Sequence, residues 1–282
     1  MCLYRHNIAV CVDSENRKMI IAVAIVLAMI AGGYAALIAY TGMNTPFSAV
    51  MSQSMQHDPE RSQIGCIDTG DITIVKDKSK SEIQSYVKAT ETGYRTFGDY
   101  GSVIIYERNS SSNPVIHRAI TWLEWDSSSG KWSSPELADY KGEWRSDNGT
   151  DWNDLTGTLV FSGITQSKKT VSINLSTLGK NSGYLTLGDN PETNMHFDQN
   201  SGIISHPISY DDIVSVPVLE LPWLGTIKLM VKGSPNLVYV PNSVPSLVMA
   251  IILILSAFFF IDFALQTMKT KKEEKKAADR RR

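Results

Sequence analysis

Two long apolar segments constrain the fold of this 282-residue chain more than any other feature. Residues 19–40 contain no charged side chain, and residues 244–265 contain only Asp262. At about 1.5 Å per residue, a helix over either segment is long enough to cross the roughly 30 Å hydrocarbon core of a bilayer. The sequence therefore predicts two transmembrane helices, at 19–40 and 244–265, with a folded region between them.

The charges that flank the two segments predict their orientation. Arg17 and Lys18 precede the first segment, and residues 266–282 after the second are rich in lysine and arginine. Since positively charged flanks stay in the cytoplasm, 1–18 and 266–282 are predicted to be cytoplasmic and 43–242 extracytoplasmic at the cell membrane. The first segment is longer than the apolar core of a signal peptide and no clear A-x-A site follows it, which favours an uncleaved anchor.

The region between the helices is predicted to be a mainly β domain. Several runs are rich in β-branched and aromatic residues and are separated by clusters of Gly, Asn, Asp and Ser. These runs lie at 71–76, 102–107, 114–125, 158–164, 171–175, 183–187, 212–221 and 225–231. One short helix is predicted at 80–89. Residues 126–181 are predicted to form an inserted subdomain of β-hairpins, in which Trp132, Trp144 and Trp152 make a small local core.

Composition limits the partners and the chemistry. The net charge of −2 gives no reason to expect nucleic acid. No H-x-x-x-H or paired-cysteine spacing occurs, so neither a metal nor another cofactor is expected. Only Cys66 falls in the extracytoplasmic region, because Cys2 and Cys11 precede the first anchor, so no disulfide is predicted within the domain. Three N-x-[ST] sequons are compatible with glycosylation, at Asn109, Asn148 and Asn174.

Candidate nucleophiles stand just outside the first anchor. Ser52 and Ser54 are two residues apart, so in an extended stretch their side chains share one side. A serine attacks only when a base takes its proton and donors stabilise the oxyanion. His117 is the best candidate base, since it lies within an apolar strand, although a structural strand histidine is the competing interpretation. His57 lies in a polar turn and is predicted to be a solvated loop residue.

A third group is needed to orient the base. The stretch after the 183–187 strand offers Asp189, Glu192 and Asp198. Such residues also favour turns for purely structural reasons. Geometry at the level of sequence does not choose among these three carboxylates.

Five short motifs follow one another between residues 35 and 230. They are SQSM, DTGDITIVK, VIHRAI, YLTLGDN followed by DQ, and DIVSVPVLELPWLGTIKL. In this order, and behind an anchor of this orientation, they resemble the motifs of type I signal peptidases. Bacterial members carry lysine before the arginine of the third motif. The histidine here resembles the branch shared by archaea and the catalytic subunit of the endoplasmic-reticulum enzyme.

The resemblance implies a fold, an activity and a role for each matched residue. The fold would be the coiled β-sheet of signal peptidases, carried by two transmembrane helices. Ser54 would be the nucleophile and His117 its general base, with Asp198 orienting the histidine. Ser52 and the backbone N–H of Ser54 would bind the oxyanion, and Asp189 would give structural or electrostatic support. The chain would be a serine endopeptidase that cleaves signal peptides from exported precursors, with possible association with the secretion machinery.

The chain also departs from the family. The family's S-M-x-P becomes SMQHDP, which reshapes the turn after the nucleophile. The gap from Asp189 to Asp198 is longer than in many relatives, and the shortest members have no counterpart of 126–181. The alternative hypothesis is a non-catalytic, membrane-anchored β-rich scaffold or surface-binding module derived from the same fold.

Overall fold

The computed structural model describes residues 4–5, 8–9, 14–108 and 113–279. The predicted sequon at Asn109 and the cysteines Cys2 and Cys11 lie outside the described residues. The α-helices are α1 (Ser14–Thr41), α2 (Tyr86–Thr92), α3 (Thr226–Val231) and α4 (Ser243–Asp279). Short 3-10 helices span Lys78–Lys80, Pro135–Ala138, Leu175–Thr177, Asp198–Asn200 and Pro235–Tyr239.

The described β-strands are mostly short and all named pairs are antiparallel. The first seven are β1 (Tyr4–Arg5), β2 (Ile8–Ala9), β3 (Phe47–Ala49), β4 (Ile72–Lys76), β5 (Arg95–Thr96), β6 (Asp99–Tyr100) and β7 (Val103–Tyr106). The others are β8 (Val115–Asp126), β9 (Lys131–Ser133), β10 (Glu143–Arg145), β11 (Thr158–Ile164), β12 (Lys169–Asn174), β13 (Gly183–Leu187) and β14 (Ile213–Leu221).

Two of the helices are long and apolar enough to cross a membrane. They run from Asn16 to Thr41 and from Ser243 to Lys272, and the apolar windows in both are not buried by the rest of the chain. Helix α1 ends where Gly42 takes the left-handed conformation, with φ of 74°, and its N–H donates to the carbonyl of Ile38. Both predicted segments therefore form helices with the length and composition of a membrane span, and their orientation stays a prediction.

A seven-stranded sheet forms the centre of the domain. Its strand order is β13-β8-β7-β14-β4-β3, and β9 extends the other end of the long strand β8. The middle of β8 is buried because β13 and β7 flank it and other segments cover both of its faces. Consecutive side chains of a strand point to opposite faces, so the side chains of His117 and Arg118 on β8 lie on opposite faces of the sheet.

The inserted region is built as predicted from strands, but it does not have a core of its own. Strands β10, β11 and β12 form a separate three-stranded sheet. Its inward residues Leu159, Phe161 and Val171 belong to one apolar cluster with Ile120 of β8 and Leu185 of β13. Trp132 is buried in that cluster, and Trp144 and Trp152 pack against it. The tryptophans thus join the insertion to the main sheet.

The strand predicted at 225–231 is wrong, because this segment forms helix α3. After β14 the chain reverses at Trp223, which has a positive φ of 61°, and Thr226 N–H donates to its carbonyl. The buried residues of α3 are Thr226 and Leu229, three positions apart, which is the spacing of a helix and not of a strand.

The helix predicted at 80–89 is shifted toward the C-terminus. Ser85 caps it by accepting a hydrogen bond from the N–H of Lys88, so the α-helix begins at Tyr86. Gly93 then ends it in the left-handed conformation.

Candidate active site

The two candidate nucleophiles lie in the loop that joins β3 to β4. Ser52 Oγ and Ser54 Oγ are 3.3 Å apart. The loop is held by a backbone hydrogen bond from Gly70 to Val50 and by the side chain of Met55, which is only 1% exposed. Met55 packs with Val50 in a small apolar cluster. The apolar residue after Ser54 therefore anchors the loop and leaves both hydroxyls at the surface.

The candidate base is held by sheet register. His117 pairs with Ile104 of β7, and its side chain is almost fully buried. Its Nδ1 lies 2.7 Å from Oδ2 of Asp198. The carboxylate thus fixes the ring so that Nδ1 carries the hydrogen facing Asp198, and Nε2 is the nitrogen available to take a proton.

The carboxylate of Asp198 is buried and shared by two donors. Asp198 begins a 3-10 turn directly after Phe197, and both residues are fully buried. Tyr106 donates its hydroxyl to the same Oδ2 at 2.7 Å. Burial and the charge of Asp198 raise the pKa of Tyr106 far above its usual range, so the phenol stays protonated and remains a donor. Thr186 donates to the Tyr106 oxygen in turn, at 3.4 Å.

One cavity connects the serines with the histidine. It has a volume of about 650 Å³, and Ser52, Ser54 and His117 all line it. The rest of its wall is mostly apolar and comes chiefly from residues 43–51, from residues 113–116 and from β14. Within the described residues, neither Nε2 of His117 nor the backbone N–H of Ser54 has a hydrogen-bond partner. Both groups therefore keep an unused hydrogen-bonding capacity. Catalytic contacts between a serine and its base are often loose before substrate binds.

Asp189 lies on the other side of β8, where it binds Arg118. Leu187, the last residue of β13, pairs with Arg118, so Asp189 follows two residues after that pair. Arg118 Nε and Nη2 donate to the Asp189 carboxylate at 2.9 and 2.5 Å. Burial alone would raise the pKa of this carboxyl, but the charge of Arg118 and the hydrogen bonds from His57 and Arg118 hold it well below its usual range. Asp189 is therefore an ionised structural partner of Arg118.

The prediction that His57 is a solvated loop residue is wrong. Its side chain is only 6% exposed, with Nε2 3.1 Å from Asp189 Oδ2 and Nδ1 3.2 Å from the sulfur of Cys66. Burial alone would lower the pKa of His57, but the hydrogen bonds to Asp189 and Cys66 and the charge of Asp189 raise it to about 10. The polar turn after Ser54 folds inward because a buried carboxylate is there to receive the imidazolium.

The structure thus brings three of the five proposed site residues to one cavity and a fourth into a hydrogen bond with one of them. Ser52, Ser54 and His117 line the cavity, and Asp198 binds His117 from behind. Among the described residues the Asp189 carboxylate hydrogen-bonds to Arg118 and His57 and not to His117, and its neighbour Asn190 binds the nucleophile loop.

Sequence reasoning did not identify Tyr106 as part of this site. The available signal is its position in β7, two residues after Ile104, which pairs with His117. Residues two apart on a strand share a face. Tyr106 is therefore predicted to share a face with His117, and its hydroxyl needs a polar partner on that face.

Comparison with known proteins does not identify the chain. No protein-family model matches it, and no curated protein matches it.

Proposed function

We propose that this chain is a membrane-anchored serine endopeptidase that cleaves signal peptides from exported precursors. The observation that carries the proposal is that Ser54 and His117 line one cavity while Asp198 binds the far nitrogen of the histidine. Acyl transfer by a serine needs these three groups: a nucleophile, a base that takes its proton and an acid that orients the base. The order of the five sequence motifs supports the signal-peptide specificity.

Each residue has a defined part in the proposed reaction. Ser54 Oγ attacks the carbonyl carbon of the scissile peptide, and His117 Nε2 takes the hydroxyl proton. Asp198 holds Nδ1–H and stabilises the imidazolium that forms. Ser52 Oγ and the N–H of Ser54 donate to the oxyanion. The imidazolium then protonates the leaving amine, and a water molecule activated by the same histidine hydrolyses the ester on Ser54.

The helices give this chemistry its proposed place. Helix α1 ends at Thr41, shortly before the nucleophile loop, and α4 begins at Ser243 after the β domain. With both termini in the cytoplasm, the cavity would face the extracytoplasmic surface of the bilayer. The apolar segment of a translocating precursor ends at that surface, so the precursors, the bilayer and the secretion machinery are the proposed partners.

The test compares cleavage of a secretory precursor by matched serine variants. Full-length protein in detergent–lipid micelles is incubated with a precursor, and the product is sequenced at its new N-terminus. We expect wild type and Ser129→Ala, which changes an exposed turn serine, to cleave equally. We expect Ser54→Ala to lose cleavage with its melting temperature unchanged, and His117→Ala to lose about 10²–10⁴-fold in rate.

Two results would contradict the proposal. Equal cleavage by wild type and Ser54→Ala would mean that Ser54 is not the nucleophile. Binding of the precursor without cleavage by folded wild-type protein would instead favour the non-catalytic scaffold or surface-binding module.

A further inference from the structure

A buried lysine of the insertion reaches the loop beside the proposed active site. Lys169 stands at the start of β12 and is only 6% exposed. Its Nζ lies 2.9, 3.2, 2.7 and 3.0 Å from the carbonyl oxygens of Gly188, Asp189, Asn190 and Asn194 respectively. Burying an ammonium group is costly unless hydrogen bonds replace its water. These four carbonyls provide them, and together they fix the course of the 188–194 turn.

The same turn holds the nucleophile loop. The backbone N–H of Asn190 donates to the carbonyl of Ser54 at 3.0 Å, and its side-chain Nδ2 donates to the carbonyl of Gln53 at 2.8 Å. The backbones approach so closely that a Cβ added at Gly188 would lie 2.5 Å from the Ser54 carbonyl oxygen. Any shift of the turn is therefore transmitted directly to the backbone of Ser54.

The insertion also supports the residue that precedes the proposed orienting acid. Phe161 of β11 packs edge-to-face on Phe197, with ring centroids 6.2 Å apart. Asn200 donates its side-chain N–H to the carbonyl of Ser172 on β12 at 3.0 Å. The hairpin of β11 and β12 thus contacts both ends of the 188–200 segment, which runs from beside Ser54 to Asp198.

We propose that Lys169 is a positioning residue of this site, which fixes the 188–194 turn and, through Asn190, the backbone of Gln53 and Ser54. The inference rests on the proposed function and adds to it that the insertion 126–181 takes part in catalysis. Lys169 itself touches neither the cavity nor the serine hydroxyls. Its effect is to hold the Ser54 N–H and Oγ where the reaction needs them, and misplacement by about 1 Å can cost on the order of 10²-fold in rate.

The positive charge of Lys169 matters as well as its shape. The negative charges of Asp189 and Asp99 act on the ammonium group, and the Asp189 carboxylate is itself bound by Arg118 and His57. Burial lowers the pKa of Lys169 to about 8, although the two carboxylates act in the opposite direction. A neutral amine has one N–H fewer to donate, so the hold on the turn weakens as the pH rises through about 8.

The test uses full-length protein with two changes at Lys169 and one at its neighbour. Lys169→Met removes the charge and all donors, and Lys169→Arg keeps both. Lys168→Met is the matched control, since Lys168 is exposed in the preceding turn. For Lys169→Met we expect kcat on a secretory precursor to fall on the order of 10²-fold, with KM within about twofold. We expect Lys168→Met to match wild type.

The pH profile separates positioning from simple structural support. We expect the kcat of wild type to decline above about pH 8 and the kcat of Lys169→Arg, which stays charged, to lack this decline. A decline that is the same in wild type and Lys169→Arg would overturn the proposal. So would a Lys169→Met protein whose kcat per folded molecule equals that of Lys168→Met. If Lys169→Met does not fold, the comparison of wild type with Lys169→Arg decides the matter.

Hydrogen exchange tests the inference without any activity. We expect Lys169→Met to speed amide exchange in 53–55 and 188–194, and Lys168→Met to leave it unchanged. If Lys169→Met exchanges faster but the wild-type protein cleaves no precursor, then the proposed function fails while the coupling of Lys169 to Ser54 stands. Unchanged exchange together with unchanged kcat would overturn the inference and leave the proposed function intact.

Discussion

Removing the charge of Arg118 should strongly destabilise the domain, because this charge is fully buried and holds several partners at once. Besides its bonds to Asp189, the guanidinium donates through Nη1 to the carbonyls of Tyr100 at 3.0 Å and Gly101 at 2.8 Å. Arg118→Met keeps much of the volume that the aliphatic part of the arginine side chain fills. It leaves the carboxylate of Asp189 with His57 as its one remaining side-chain partner among the described residues.

The size of the effect follows from the burial of the pair. Breaking a fully buried ion pair by removing one partner costs about 3–5 kcal/mol, because the other charge is left uncompensated. For a domain of this size, each kcal/mol lowers the melting temperature by about 2–4 °C. We therefore expect Arg118→Met to melt roughly 6–20 °C below wild type.

Thermal unfolding of the full-length protein in detergent micelles, followed by tryptophan fluorescence, measures this change. Arg145→Met is the control, since Arg145 is an exposed arginine on β10, and we expect it to melt within about 2 °C of wild type. In the double variant Arg118→Met/Asp189→Asn the buried carboxylate is also gone, so part of the loss should be recovered. A single variant that melts within about 2 °C of wild type, or a double variant that loses the sum of both single losses, would refute the reasoning.

Two further predictions concern the partners of the two aspartates. The raised pKa of His57 means that its pairing with Asp189 stabilises the fold fully below about pH 6.5 and that this stabilisation is lost as the pH rises through about 10. The melting-temperature gap between wild type and His57→Gln should therefore shrink from pH 6.5 to 10, and a constant gap would show that His57 is neutral. Tyr106→Phe removes one of two donors to Asp198, so kcat on a precursor should fall by about 10–10²-fold, because a hydrogen bond to a charged group is worth about 1.5–3 kcal/mol. An unchanged kcat would exclude a part for the Tyr106 hydroxyl.

Seven of the fourteen strands in the described part of the chain, among them five of the seven in the central sheet, could be predicted one by one because their pattern is local. The runs at 158–164 and 183–187 have the observed bounds of β11 and β13, and the run at 114–125 is displaced from β8 by one residue. Segment 225–231 was mispredicted because its β-branched and aliphatic composition suits either state. A turn at Trp223 with positive φ decided it, and that conformation has no reliable sequence signal for a non-glycine residue.

From the residues alone the site was predictable only as far as its residue types, and it was the resemblance to signal peptidases that predicted different roles for Asp198 and Asp189. Ser54 is distinguished by its position just outside the anchor, and His117 by its position within an apolar strand. The distinction between Asp198 and Asp189 depends on the two faces of β8. Asp198 reaches the face of His117, and Asp189 reaches that of Arg118. This assignment requires the pairing of β13 with β8, which joins segments about sixty residues apart.

Lys169 shows why burial is hard to read from sequence. It follows Lys168 in a short polar turn, and lysine is rarely buried, so both residues look like solvent-exposed charges. Only the approach of the 188–194 carbonyls distinguishes the two.

The shared apolar cluster has a consequence for attempts to shorten this chain. Deleting 126–181 would remove Leu159, Phe161 and Val171, which cover Ile120 and Leu185. The remaining sheet would then expose an apolar face to solvent. The truncated protein would aggregate unless that face were redesigned with polar side chains. A shorter version of this domain therefore requires a redesigned polar surface in addition to the deletion.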